Sequence, residues 1–231
     1  MVHAMKVVLF DIDGTLITSG GAGLRALARA FEEQFGVSNA FARVPVSGRL
    51  DPLIIRDCLD AAGLDEPADG WLDTFRATYF GYLRDELKTS PRQRVLPGVE
   101  SLLGALGERN SAGVGLLTGN FAGSARIKLE HFAIASYFDW GAFGEDGPTR
   151  RALVPVALTR AAERGWRPSR PSDVLVIGDT PLDVDCAHAH GATALAVATG
   201  VHARDELDAT GAEIVVDSLE DMAPVLRWLG A

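Results

Sequence analysis

Three short apolar runs in this chain each stop abruptly on polar residues. Met5–Phe10 (MKVVLF) ends at Asp11, Val114–Leu117 at Thr118, and Val174–Ile177 at Gly178-Asp179. Compact, β-branched runs of this length predict buried strands. Thr193–Val197 and Ile214–Val216 read the same way, and Trp140–Phe143 reads as a shorter strand. Between them, helices are predicted over Pro97–Arg109, Ala122–Phe132, Arg151–Arg164, Leu182–His190 and Ser218–Leu229. Strands alternating with helices fold as a parallel sheet covered on both faces, an α/β Rossmann-like core. Ligands of such sheets bind at the carboxyl ends of the strands. The polar residues after Phe10, Leu117 and Ile177 therefore mark the place to look for chemistry.

The alternation is interrupted after the first strand. Leu24, Leu27, Ala28, Phe31 and Phe35 recur at helical spacing up to Gly36. Asp51–Ala62 predicts a second helix, with Asp51 as N-cap and Pro52 at its first position, ended by Gly63. Pro67–Leu87 predicts a third, with Trp71, Phe75, Tyr79 and Tyr82 on its apolar side. No strand is expected between Ser19 and Thr89. The expected organisation is a core of residues 1–18 and 91–231 with an inserted helical domain of residues 19–90.

Composition narrows the function classes. With 47% hydrophobic and 23% charged residues, the 231-residue chain can bury a core without disulfides. Its two cysteines, Cys58 and Cys186, form neither a zinc signature nor a disulfide framework, so a reducing cytoplasm is the expected setting. A net charge of −9 without a basic stripe argues against nucleic acid and anionic membranes as partners. The run Val7–Phe10 is too short for a signal core or a membrane span.

The strand ends are rich in acids. Asp11 and Asp13 lie at i and i+2 on extended backbone, so they face one spot. Two ionised carboxylates there repel by about 4 kcal/mol at an effective dielectric of 20, and need a cation or a shared proton. Asp179 ends another strand and Asp183 follows one helical turn later. Several carboxylates around one point make a hard-oxygen site suited to Mg²⁺. Thr118-Gly119-Asn120 offers a hydroxyl, bare amides and a helix N-terminus, the elements of an anion site. Read singly, each has a plainer alternative: a tight turn at Gly14, a helix cap at Thr118 or Asp179, a helix N-terminal acid at Asp183.

Taken together, DIDGTL (Asp11–Leu16), LLTGN (Leu116–Asn120) and GDTPLD (Gly178–Asp183) resemble, in order and spacing, motifs of the haloacid dehalogenase (HAD) superfamily. Within it the chain is similar to phosphoglycolate-phosphatase-like hydrolases, and the helical block resembles that family's mobile cap. The resemblance implies a Mg²⁺-dependent phosphatase acting on a small phosphomonoester, phosphoglycolate-like or a sugar phosphate. Asp11 would be the nucleophile, and Asp13 would protonate the leaving alkoxide and then activate water. Thr118 would hydrogen-bond the phosphoryl oxygens, with Gly119 and Asn120 beside it. Asp179 would bind Mg²⁺ with Asp11 and the backbone carbonyl of Asp13, and Asp183 would hold a metal-bound water or orient its neighbours. An acid at position 13 argues for ester chemistry, because dehalogenating members resemble this chain but lack it.

One departure stands out. The family's third motif usually offers a Lys, and here the region reads GPTRRAL with none, so Arg150 or Arg151 would supply the cation, Arg150 by preference. Ser47–Asp51 resembles the family's specificity loop, in which Arg49 would grip an anionic group of the substrate. Two alternatives remain open: a phosphosugar mutase using the same acids, and a non-catalytic phosphate-binding protein on the same scaffold.

Overall fold

The computed structural model describes residues 5–109 and 112–230. Its elements in chain order are β1 (Lys6–Phe10), β2 (Ile17–Thr18), α1 (Ala22–Phe35), α2 (Asp51–Ala61), α3 (Trp71–Thr89), β3 (Arg94–Val95), α4 (Val99–Arg109), β4 (Ala112–Leu117) and α5 (Ala122–His131). There follow β5 (Gly141–Ala142), α6 (Leu153–Glu163), β6 (Val174–Gly178), α7 (Pro181–His188), β7 (Thr193–Val197), α8 (Arg204–Asp208), β8 (Ile214–Val216) and α9 (Ala223–Leu229).

Six strands form one parallel sheet in the order β5-β4-β1-β6-β7-β8. The first strand lies inside it, between β4 and β6, so the ends of all three marked strands are neighbours. The chain leaves in opposite directions on either side of β1, which opens a crevice at the carboxyl edge. Alternation along each strand sorts its side chains into two cores. Val8, Phe10, Leu175 and Ile177 pack on one face with α4, α5 and α9, and Val7, Leu9, Val174 and Val176 pack on the other with α6 and α7. All eight are buried, each contributing roughly 1.5–3 kcal/mol of transfer free energy.

Helices α1, α2 and α3 form a third apolar cluster around Phe31, Ile55, Phe75, Tyr79 and Leu83, which Phe121 and Ile127 at α5 also join. Where the chain enters and leaves this block, β2 and β3 pair as a two-stranded antiparallel ribbon. There the Ser90 hydroxyl donates to the Ser19 carbonyl at 2.6 Å. No strand occurs between Ser19 and Thr89, as expected.

Several local expectations need correction. Leu50, not Asp51, is the N-cap of α2; Asp51 is its first residue and turns its carboxylate across to α5. The last helix begins at Ala223 rather than Ser218, because Pro224 lacks an N–H and fits only in a first turn. Residues Arg150–Ala152 form a separate 3₁₀ turn ahead of α6, capped by the Thr149 hydroxyl. The ribbon and α8 were not expected: two-residue strands show no period, and Arg-Asp-Glu-Leu-Asp shows no apolar face.

Candidate active site

The turn after β1 is closed by hydrogen bonds from the Thr15, Leu16 and Ile17 amides to the Ile12 carbonyl, with Gly14 in the left-handed region at φ +84°. It projects Asp11 and Asp13 into a cavity of about 420 Å³ between the sheet edge and the helical block. Arg49, Gly119, Asn120, Arg150 and Asp179 also line this cavity.

Asp11, Asp179 and Asp183 are all buried, and each offers a carboxylate oxygen within 4.8 Å of the others. Burial raises Asp11 to a pKa of about 6; Arg150 opposes this, Asp183 adds to it, and a hydrogen bond to the Thr118 hydroxyl lowers it. Burial, then the charges of Asp11 and Asp183, push Asp179 well above the ordinary carboxylate range. Its surroundings are tight. A Cβ on Gly14 would fall 2.2 Å from Asp179 Oδ2 and one on Gly200 only 1.7 Å away, so this carboxylate fits only against bare backbone. The Thr15 hydroxyl donates to its Oδ1 at 3.1 Å.

The cation among these acids is Arg150. It is buried, its Nη2 lies 3.2 Å from Asp11 Oδ2 and pairs closely with Asp183 Oδ1, and its Nη1 donates to the Gly48 carbonyl at 2.8 Å. Burial works against its charge, but Asp183 and Asp11 outweigh that and raise its pKa. Of the two arginines, Arg150 is the one the fold brings to Asp11. Arg151 does not join the site; its fork closes on Asp185 at the surface, with Nε 2.7 Å from Oδ2. Consecutive residues of one 3₁₀ turn cannot point the same way.

Asp183 bonds chiefly to protein. Its Oδ2 accepts the Thr180 amide at 3.0 Å and the Thr180 hydroxyl at 2.7 Å, capping α7, while Oδ1 receives Arg150. Three buried carboxylates facing one guanidinium nonetheless leave the cluster short of positive charge. Each pair at this separation repels by about 3–4 kcal/mol at an effective dielectric of 20. An all-oxygen set of this kind fits a hard divalent cation.

The carboxylate of Asp13 lies outside that triad. Its Oδ2 accepts the Lys128 ammonium at 2.5 Å and the Asn120 side-chain amide at 2.9 Å. Lys128 was missed in the sequence. The available signal was Ser124 and Lys128 at i and i+4 on the buried face of α5, where a Lys needs a partner. Thr118 is fully buried, and its hydroxyl accepts from the Asn120 side chain at 2.8 Å. The first amides of α5 already have acids: Phe121 N–H donates to Asp51 at 3.0 Å, and Ala122 N–H to both oxygens of Glu145. The expected anion site is thereby reduced to the Gly119-Asn120 segment. Gly119 is pressed against the segment before α2, since a Cβ there would meet the Arg49 carbonyl at 2.0 Å. Arg49 lines the cavity, and its side chain is held by Asp57 at 2.5 Å.

A model of haloacid dehalogenase-like hydrolases matches residues 5–191. The chain belongs to that family. Among known proteins, tyrosine-protein kinase PtkA of Mycobacterium tuberculosis is 29% identical over 217 residues, covering 91% of this chain and 68% of its own length. A phosphoglycolate phosphatase of Rhodospirillum rubrum is 29% identical over 230 residues, covering 97% of this chain and 91% of its own. The solved structure of a predicted phosphoglycolate phosphatase from Haemophilus somnus superposes with a TM-score of 0.69, covering 96% of this chain and 98% of that one, at 18% identity. Likeness at that identity speaks for the fold. No described helix is long and apolar enough to cross a membrane.

Proposed function

We propose that this hydrolase is a Mg²⁺-dependent phosphomonoesterase working through a phospho-aspartate on Asp11. Relatives at similar identity are named for different activities, so the reaction is argued from the site. The observation that carries it is the juxtaposition of Asp11, paired with buried Arg150 beside two further acids, and Asp13, both opening on one cavity. Asp11, Asp179 and Asp183 would hold Mg²⁺, together with the Asp13 backbone carbonyl. Bound there, Mg²⁺ would act as a Lewis acid that offsets charge on the phosphoryl oxygens.

The chain's own residues do the rest. Arg150 keeps Asp11 oriented and offsets its charge; Thr118, behind it, holds the rotamer. The Asp11 carboxylate attacks phosphorus, and the bond from phosphorus to the ester oxygen breaks. Asp13 passes its proton to that oxygen, so the product leaves as an alcohol rather than an alkoxide. Asp13, now a carboxylate, takes a proton from water as that water attacks phosphorus. The bond from phosphorus to Asp11 breaks, and inorganic phosphate and free Asp11 result.

In this reading residues 19–90 form a cap over a core of 1–18 and 91–231. Three features support it: the apolar cluster that α1–α3 build mostly among themselves and share with α5 only through Phe121 and Ile127, the ribbon at their entry and exit, and the bonds from Arg150 to Gly48 and from the Asp51 amide to Gly119 that seat the block on the sheet edge. Arg49 stands where it can meet the leaving group if Asp57 releases it. A phosphate-release screen over metabolite monoesters, with and without Mg²⁺, tests the proposal. At least one ester is hydrolysed only with the metal; a panel wholly inert under both conditions would refute it.

A further inference from the structure

Lys128 is a charged side chain with 3% exposure on a helix whose remaining buried positions are Ser124, Ala125, Ile127 and Leu129. A buried ammonium is costly unless paired and hydrogen-bonded. Its partners both belong to the cavity: Asp13 Oδ2 at 2.5 Å and Asn120 Oδ1 at 2.6 Å. Asn120 closes the triangle by donating its amide to the same Asp13 oxygen at 2.9 Å and to the Thr118 hydroxyl at 2.8 Å. Asp13 Oδ2 therefore takes two donors, one of them charged, whereas no hydrogen bond reaches its Oδ1 among the described residues. The Asp13 side chain is 41% exposed, so little besides this triangle restrains it.

We infer that Lys128 is a positioning residue for proton transfer: through Oδ2 it fixes the Asp13 carboxyl so that Oδ1 carries the proton to the departing oxygen. The inference rests on the proposed role of Asp13 as proton donor. The two oxygens have separate tasks. Oδ2 stays an acceptor in both protonation states, and the proton sits on and leaves from Oδ1. The helical block completes the arrangement, since a Cβ on Gly23 of α1 would stand 3.3 Å from the Lys128 ammonium and 3.9 Å from the Tyr79 hydroxyl of α3. Helices that close the cavity thus also wall in the group that holds the acid.

Positioning of an acid predicts a loss that depends on the leaving group. An alkyl ester needs a proton as its bond to phosphorus breaks, whereas a nitrophenyl ester leaves as a stable anion. The test compares kcat/KM, which covers only the steps up to alcohol release, for an alkyl phosphate and for p-nitrophenyl phosphate. Lys128→Met and Lys128→Gln should each lower the alkyl value by about 100-fold, the scale of a misplaced general acid. The nitrophenyl value should fall much less, so that the alkyl-to-aryl ratio drops by at least about 30-fold. Equal falls for both esters would mean a merely structural role, and an unchanged ratio overturns the inference.

Asp13→Asn is run in parallel. If it lacks the same selective loss, the proton-donor reading fails and Lys128 falls with it; if it shows the loss and the Lys128 variants do not, only the inference about Lys128 is overturned. Circular dichroism checks folding. Should both Lys128 variants unfold, Gly23→Ala, whose Cβ would stand 3.3 Å from the ammonium and crowd it without removing it, must move the ratio in the same direction.

Discussion

Asp51 gives a quantitative check on the contact between the helical block and the sheet edge. It is buried in the first turn of α2, and its carboxylate accepts the Phe121 amide at 3.0 Å and the Ser124 hydroxyl at 3.3 Å. Burial raises its pKa from 3.8 to about 6, against the opposing pull of Lys128. A gap of about two units, at about 1.4 kcal/mol each, is worth about 3 kcal/mol. Because the folded-state pKa is raised, this contribution is fully present below the unfolded pKa near 4 and is lost as pH rises through about 6. Asp51→Asn keeps an oxygen for the Phe121 amide and removes the ionisation. Urea unfolding of both proteins, in chelator and across pH 4 to 8, should therefore show the variant converging with wild type near about pH 4 and exceeding it by up to about 3 kcal/mol near about pH 8. Parallel stability curves, or a variant less stable at the alkaline end, would show that Asp51 is not the buried, ionising contact described here.

Arg150→Met leaves three buried acids without their guanidinium, and should cost about 3–5 kcal/mol of stability in metal-free protein by denaturant titration, with Mg²⁺ raising Tm more than it does in wild type. Chelating divalent metal should stop phosphate release, and excess Ca²⁺ should inhibit it, because Ca²⁺ favours longer bonds and looser coordination; metal-independent turnover would count against the acid cluster as a cation site. Gly200→Ala, whose Cβ would fall 1.7 Å from Asp179 Oδ2, should weaken the Mg²⁺-induced rise in Tm while retaining the far-ultraviolet spectrum of the native fold.

The sheet was legible because its strands are apolar runs that end on polar residues, and burial on both faces leaves little other use for Val7–Phe10 or Val174–Ile177. The placement of Asp11 and Asp179 followed from the rule about strand ends, the first turn of α7 brings Asp183 to them, and their convergence within 4.8 Å is what a central β1 with β6 beside it produces. Pairwise partners across the fold were not legible. Nothing in the sequence says that Lys128 on α5 reaches Asp13, 115 positions away. Nor does it say that Asp51 and Glu145 occupy the amides expected for an anion. Arg150 and Arg151 are chemically identical, and only the direction of a single turn sends one to Asp11 and the other to Asp185. Ile17–Thr18 and Arg94–Val95 pair because the chain crosses there twice, which no local pattern encodes.

The central claim is a covalent bond between phosphorus and Asp11, and rapid-quench trapping tests it most directly. Protein mixed with a turned-over ester and Mg²⁺, then denatured in acid within one turnover and digested, should carry one phosphoryl group on the peptide containing Asp11. The group should be lost on treatment with hydroxylamine, as an acyl phosphate is, and should be absent from Asp11→Asn. Full turnover with no labelled peptide, or with the label on any other residue, would contradict the account.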